Sequence, residues 1–137
     1  MADLSITAAN VLPGANAVIE RTFTAGATIT AGQVVYLESA TTTYKLADGD
    51  SATAEIRSPR GIALNGASAG QPLAVQTAGS ITIGGTLTPG LAYYLTKVAG
   101  GIGLVAEIAT GGYATVLGIA TSASVLKINI TESGIAV

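Results

Sequence analysis

The residues of this chain that could do chemistry are few and lie close together. Asp48, Asp50 and Glu55 share one loop, and Arg57 and Arg60 follow directly after it. Oxygen ligands at alternating positions could hold Ca²⁺, but the remaining ligands of an EF-hand and its flanking helices are missing. An Asp-Gly-Asp between strands reads more simply as a solvated turn. The arginine pair could face an acidic partner or close a solvated hairpin end. Six basic residues against eight acidic ones, for a net charge of −2, do not form the basic stripe that nucleic acid requires.

The chain has no histidine and no cysteine. That removes histidine-based metal and general-base sites, Ser-His-Asp and Cys-His arrangements, disulfides and thiolate ligands together. The 18 glycines include neither a P-loop nor a strand-to-helix G-x-G-x-x-G, so they read as turns rather than phosphate cradles. The sequence calls for no catalytic residue, metal or cofactor, and the expected protein is not an enzyme.

The elements that must carry these residues are strands. Hydrophobic residues make up 49% of 137 residues while charged ones make up only 10%, less than half the share of a typical soluble domain. Aromatics are scarce, so Val, Ile, Leu, Ala and Thr must fill the core, and that composition favours β-structure. No apolar run approaches the ~20 residues of a membrane helix, and MADLSITAANV lacks the basic start and apolar stretch of a secretory signal. Membrane partners are not expected, and synthesis in the cytoplasm is.

Strand patterns run over 17–23, 33–39, 44–47, 60–65, 72–77, 80–83, 92–96, 102–105, 113–120 and 125–131, separated by Gly-containing turns. This spacing predicts one all-β domain, a β-sandwich or barrel of jelly-roll-like character. The same phrase is also written twice. Thr28–Leu37 aligns on Thr86–Leu95 with five identities in ten, Arg60–Leu64 follows on Leu117–Thr121, and Pro72–Val75 matches Val125–Ile128 in pattern. Two similar β-units, about 28–77 and 86–131, are expected to close one core within a domain spanning 26–137.

Local physics accounts for the repeated residues. Gly32 and Gly90 follow Ala and Pro, as in a type II turn that needs positive φ at its third residue. Gly61 and Gly118 are small enough to sit beneath a neighbouring strand. Tyr36 and Tyr94 are expected to bury a ring and keep the hydroxyl at the rim. Residues 1–25 have no counterpart in the second unit and read as an extended arm, whose Leu4, Ile6, Val11 and Leu12 need something apolar to cover them. On this reading, removal of residues 1–20 leaves a folded domain.

The runs AGATITAGQVVYLESATTTYKLADGD, RGIALNGASAGQPLAVQTAGSITIG, LTPGLAYYLTKVAGGI and GGYATVLGIATSASVLKINI, in this order over residues 25–131, resemble the capsid cement, or head decoration, proteins of tailed bacteriophages. The resemblance rests on Ala-Gly-x-Val-Val-Tyr-Leu, Gly-Ile-Ala-x-Asn-Gly-Ala-x-x-Gly-Gln-Pro and a late Leu-Gly-Ile-Ala. It implies a β-domain that binds the exterior of an expanded icosahedral head as a homodimer or homotrimer and bridges major capsid protein subunits. Partner contacts would then fall on Leu4, Ile6, Val11, Leu12, Arg57 and Arg60. A domain of a phage tail, baseplate or fibre, or a carbohydrate-binding adhesin, is the alternative.

Overall fold

The computed structural model describes residues 3–108 and 110–136. Eleven strands form one mixed sheet: β1 (Leu12–Pro13), β2 (Val18–Glu20), β3 (Thr24–Ala25), β4 (Val34–Glu38), β5 (Thr43–Leu46), β6 (Gly61–Ala63), β7 (Val75–Thr82), β8 (Ala92–Leu95), β9 (Ile102–Gly103), β10 (Tyr113–Ala120) and β11 (Val125–Ala136). The order is β3-β5-β4-β6-β7-β11-β10-β8-β9, with β1 and β2 laid against the remaining edge of β7.

The order is symmetric about the β7–β11 pair. From the outside inward it runs β5-β4-β6-β7 on one side and β9-β8-β10-β11 on the other, so strands carrying repeated residues hold matching places. The hydrogen bonds match as well. Gly32 N–H donates to Ala63 C=O and Gly90 N–H to Ala120 C=O, each at 2.8 Å. The return bonds from Ala63 N–H to Gln33 and from Ala120 N–H to Leu91 measure 2.9 and 3.0 Å. Gly32 and Gly90 have φ of +92° and +87°, each in a turn closed by an i to i+3 bond from Gln33 to Thr30 and from Leu91 to Thr88. The turn glycine and the Gly-Ile-Ala strand are thus one device used twice, a tight reversal hung on the strand it will pair with.

Alternation along the strands produces two cores. Val34, Tyr36 and Ile62 of the first unit meet Tyr93, Leu95, Leu117 and Leu126 of the second, together with Ile81 and Ile83. This larger core is the interior of the sandwich. On the opposite face of the first unit, Val35, Tyr44, Ala63 and Val75 are covered by Ala25 of β3 and by Ile29, Ala67 and Leu73 from the loops.

The sequence pattern splits 72–77 from 80–83, but the chain runs through both as β7. Its first half pairs with β6 and β2, its second with β11 and β1. Gly79, at φ +86°, is the kink where the strand passes between the two halves, and a Cβ there would lie 2.2 Å from the Asn16 carbonyl oxygen. A glycine that looks like a turn from its neighbours is here a bend inside a strand. The fully buried Gln76 spans the bend, its amide nitrogen donating to the carbonyls of Ala78 at 3.1 Å and Ser80 at 2.8 Å. Gln76→Leu removes both bonds and is expected to cost about 2 kcal/mol in urea unfolding, with an unchanged midpoint as the contrary result.

The N-terminal segment is extended, and it lies on the domain. Leu4 N–H donates to Ile102, Thr7 N–H to Gly84 and Gly14 N–H to Ser80, at 2.7 to 2.8 Å. Val11 is 5% exposed within the larger core, and Leu4 and Ile6 pack against it. The sequence alone reads residues 1–20 as removable with the domain still folded; in the structure the segment supplies core side chains and two strands of the sheet.

Candidate functional site

The acidic loop does not gather its carboxylates. Glu55 accepts from Ser39 N–H at 3.1 Å and from the Ser39 hydroxyl at 2.7 Å, which ties it to the β4–β5 hairpin and away from Asp48. Asp48 accepts from Asp50 N–H at 3.2 Å; burial pushes its carboxyl above the ordinary value, and the adjacent Asp50 carboxyl adds to the rise. Among the described residues no three His, Cys, Asp or Glu side chains come together as metal ligands.

Nor is this loop a free solvated turn, as its sequence suggests. Gly49 donates to Thr96 C=O at 3.1 Å and accepts from Tyr113 N–H at 2.9 Å, so Asp-Gly-Asp straps the first unit to the ends of β8 and β10. A Cβ at Gly49 would meet the Leu95 and Thr96 carbonyl oxygens at 2.9 Å. The exposed member of the loop is Asp50.

Both arginines are engaged within the chain. The Arg60 guanidinium grips Glu20 through two bonds, Nε–Oε1 at 3.0 Å and Nη2–Oε2 at 2.7 Å, and the Tyr44 hydroxyl donates to the same carboxylate. Arg60 holds the Glu20 carboxyl below the ordinary range while partial burial opposes it, and burial followed by Glu20 pushes the Tyr44 phenol up. Arg57 lies over the Tyr113 ring, 3.6 Å from the centroid, and donates to Ser51 C=O at 3.1 Å. These contacts join β2 to β5, and the 51–58 turn to β10.

The Glu20–Arg60 pair sets an acid limb for stability. Because the folded pKa of Glu20 is depressed, its contribution is present above the unfolded-chain value of about 4.5 and is lost as pH falls through the folded value. Glu20→Gln is expected to flatten the fall of Tm below ~pH 4.5, and a parallel fall in both proteins would remove this pair from the cause.

The other residues singled out by sequence divide between inside and outside. Val11 is buried, Leu4 and Ile6 are half-buried against the core, and only Leu12 stands clear at 57% exposure. Gly61 and Gly118 are buried where β6 pairs closely with β7 and β10 with β11. Tyr36 is buried, with its hydroxyl 3.4 Å from Glu38. In the second unit the buried ring is Tyr93, whose hydroxyl accepts from Thr88 N–H at 2.8 Å, while Tyr94 is half-buried on the outer face.

Five shallow surface grooves hold two carboxylates between them, Asp3 and Glu132. Two of these grooves adjoin on the outer face of the second unit, one lined by Leu91, Ala92, Tyr94, Leu104 and Val105, the other by Val116, Ile119, Lys127 and Asn129. Sequence reasoning passed over this face because its side chains alternate with core residues and read as interior. Among the described residues no helix is long and apolar enough to cross a membrane. No family model matches the chain, and no match is found among the curated proteins or the solved structures.

Proposed function

We propose that this protein is a capsid cement protein, a non-enzymatic homo-oligomer that binds the exterior of an expanded icosahedral phage head and bridges major capsid subunits. The observation that carries the reading is where the surface chemistry lies. Glu20 pairs with Arg60, Glu38 pairs with Lys45, and no three acidic side chains gather among the described residues, whereas large apolar side chains stand exposed at Leu12, Val18, Leu91, Val105, Ile119 and Ile135. Such a surface is suited to covering another protein surface rather than to turning over a small substrate. The resemblance over residues 25–131 supplies the kind of protein covered.

The mechanism is linkage. A clip that binds the assembled lattice and not its dissociated subunits stabilises the particle in proportion to its occupancy, by RT ln(1 + [L]/Kd) for each site. Several copies joined together add avidity, because the first anchored copy raises the effective concentration of the next. A rigid β-sandwich cross-tied by the 48–50 strap suits this role, since little conformational entropy is left to lose on binding.

Co-sedimentation with expanded heads lacking the protein, against unexpanded proheads, tests the reading. Saturable binding to expanded heads alone with a raised disruption temperature is the expected result. Absence of binding to either form overturns it in favour of a tail, baseplate, fibre or adhesin domain.

A further inference from the structure

The two units pack in an unequal way, and one face is left over. In the first unit Val34, Tyr36 and Ile62 point into the larger core and bury against the sheet of the second unit. Their counterparts in the repeat are Ala92, Tyr94 and Ile119. These point away from that core, so Ile62 is 0% exposed and Ile119 is 52% exposed. The three stand together across the strands, with Ala92 opposite Ile119 and Tyr94 opposite Val116. Leu91 and Val105 extend the patch, and Lys127, Asn129 and Thr131 border it with the one charge in either groove.

We propose that this face is a homodimer interface, in which the Ala92–Tyr94–Ile119 face of one chain packs on the same face of a second copy across a twofold axis. The repeat itself indicates a sheet as occupant, because the same strand face in the first unit is buried against a β-sheet of this very chain. It also restricts the geometry. Head-to-tail continuation would need the face of the first unit that carries Val35, Ala63 and Val75, the counterpart of the inward face of the second unit. That face is already covered by Ala25, Ile29, Ala67 and Leu73 of its own chain. Self-pairing is the arrangement left, and it closes after two copies. An apolar centre with a polar border matches the anatomy of such interfaces, and Lys127 can reach solvent along its stem while its methylenes stay covered.

The test needs no phage head, so its outcome is separate from that of the cement reading. Light scattering coupled to size exclusion on the full chain is expected to give twice the 13.4 kDa chain mass. Ile119→Lys is expected to weaken dimerisation at least ~30-fold, leaving monomers with native far-UV circular dichroism. Leu12→Lys, an equally exposed apolar site on β1, is expected to leave the dimer intact. Since the chain has no cysteine, Ile119→Cys adds a single thiol, and a short bismaleimide should link it into a covalent dimer while Val18→Cys stays unlinked. A native mass of one or three chains, a dimer indifferent to Ile119→Lys, or equal linking of the two thiols would overturn the proposal.

Discussion

A chain lacking residues 1–20 is expected not to hold the native fold at 37 °C, although the repeated β-units begin after the cut. The deletion removes Val11 from the larger core and uncovers the apolar ground beneath Leu4 and Ile6. At about 1.5 to 3 kcal/mol for a fully buried aliphatic side chain, and about half of that for each of the two half-buried ones, the apolar loss alone is roughly 3 to 6 kcal/mol. Glu20 leaves too, so Arg60 loses its carboxylate and the buried Tyr44 hydroxyl its acceptor. The outer edge of β7 is also stripped of β1 and β2, which exposes unpaired backbone groups in the middle of the sheet. Against a total stability of about 5 to 15 kcal/mol, these losses take most or all of it. The readout is the thermal transition by circular dichroism. A cooperative transition within a few degrees of the full chain would show that the segment is an appendage after all.

How far the sequence led depends on the range of the interaction in question. Strand content and the paired turns were legible because their causes are local: Gly32 and Gly90 adopt positive φ within four-residue turns whose sequence contains the reason. The unity of β7 was not legible, because a glycine kink and a glycine turn share one local signature. What distinguishes them at Gly79 is the Asn16 carbonyl beside it and the Gln76 side chain across it, both brought there by tertiary structure. The same holds for Asp48-Gly49-Asp50, whose polar sequence suggests water while its backbone is bonded to Thr96 and Tyr113. Which tyrosine of Tyr93-Tyr94 turns inward is a matter of strand face, and a one-residue shift exchanges the two. Tyr36 and Tyr94 stand on strands that hold matching places in the sheet order, but the unequal pairing of the units leaves them with unequal burial.

Gly118→Val is expected to be far more damaging than Asp50→Ala, by about 4 kcal/mol or more against about 0.5 kcal/mol. Gly118 has no positive φ to protect; its requirement is space. A Cβ there would stand 2.1 Å from the Lys127 carbonyl oxygen and 2.9 Å from its carbon, so β10 and β11 would have to part at the bulge between Val116 and Gly118. The obstacle is backbone in the central strand pair, which cannot swing aside as a side chain can. Gly61 meets the same obstacle in the first unit, at 2.2 Å from the Gln76 carbonyl oxygen. The repeated Gly-Ile-Ala therefore records one steric demand made twice, and even Gly118→Ala and Gly61→Ala should each cost most of what valine costs, because the first carbon already collides. Asp50 is exposed, and its carboxylate can be removed while its backbone N–H still donates to Asp48. For a chain of this length 1 kcal/mol corresponds to roughly 4 °C in Tm, so Gly118→Val should melt about 15 °C below native while Asp50→Ala stays within a few degrees. Equal Tm values for the two variants, or an alanine at 118 that melts like the native chain, would mean that the approach of β10 to β11 is looser than these distances require.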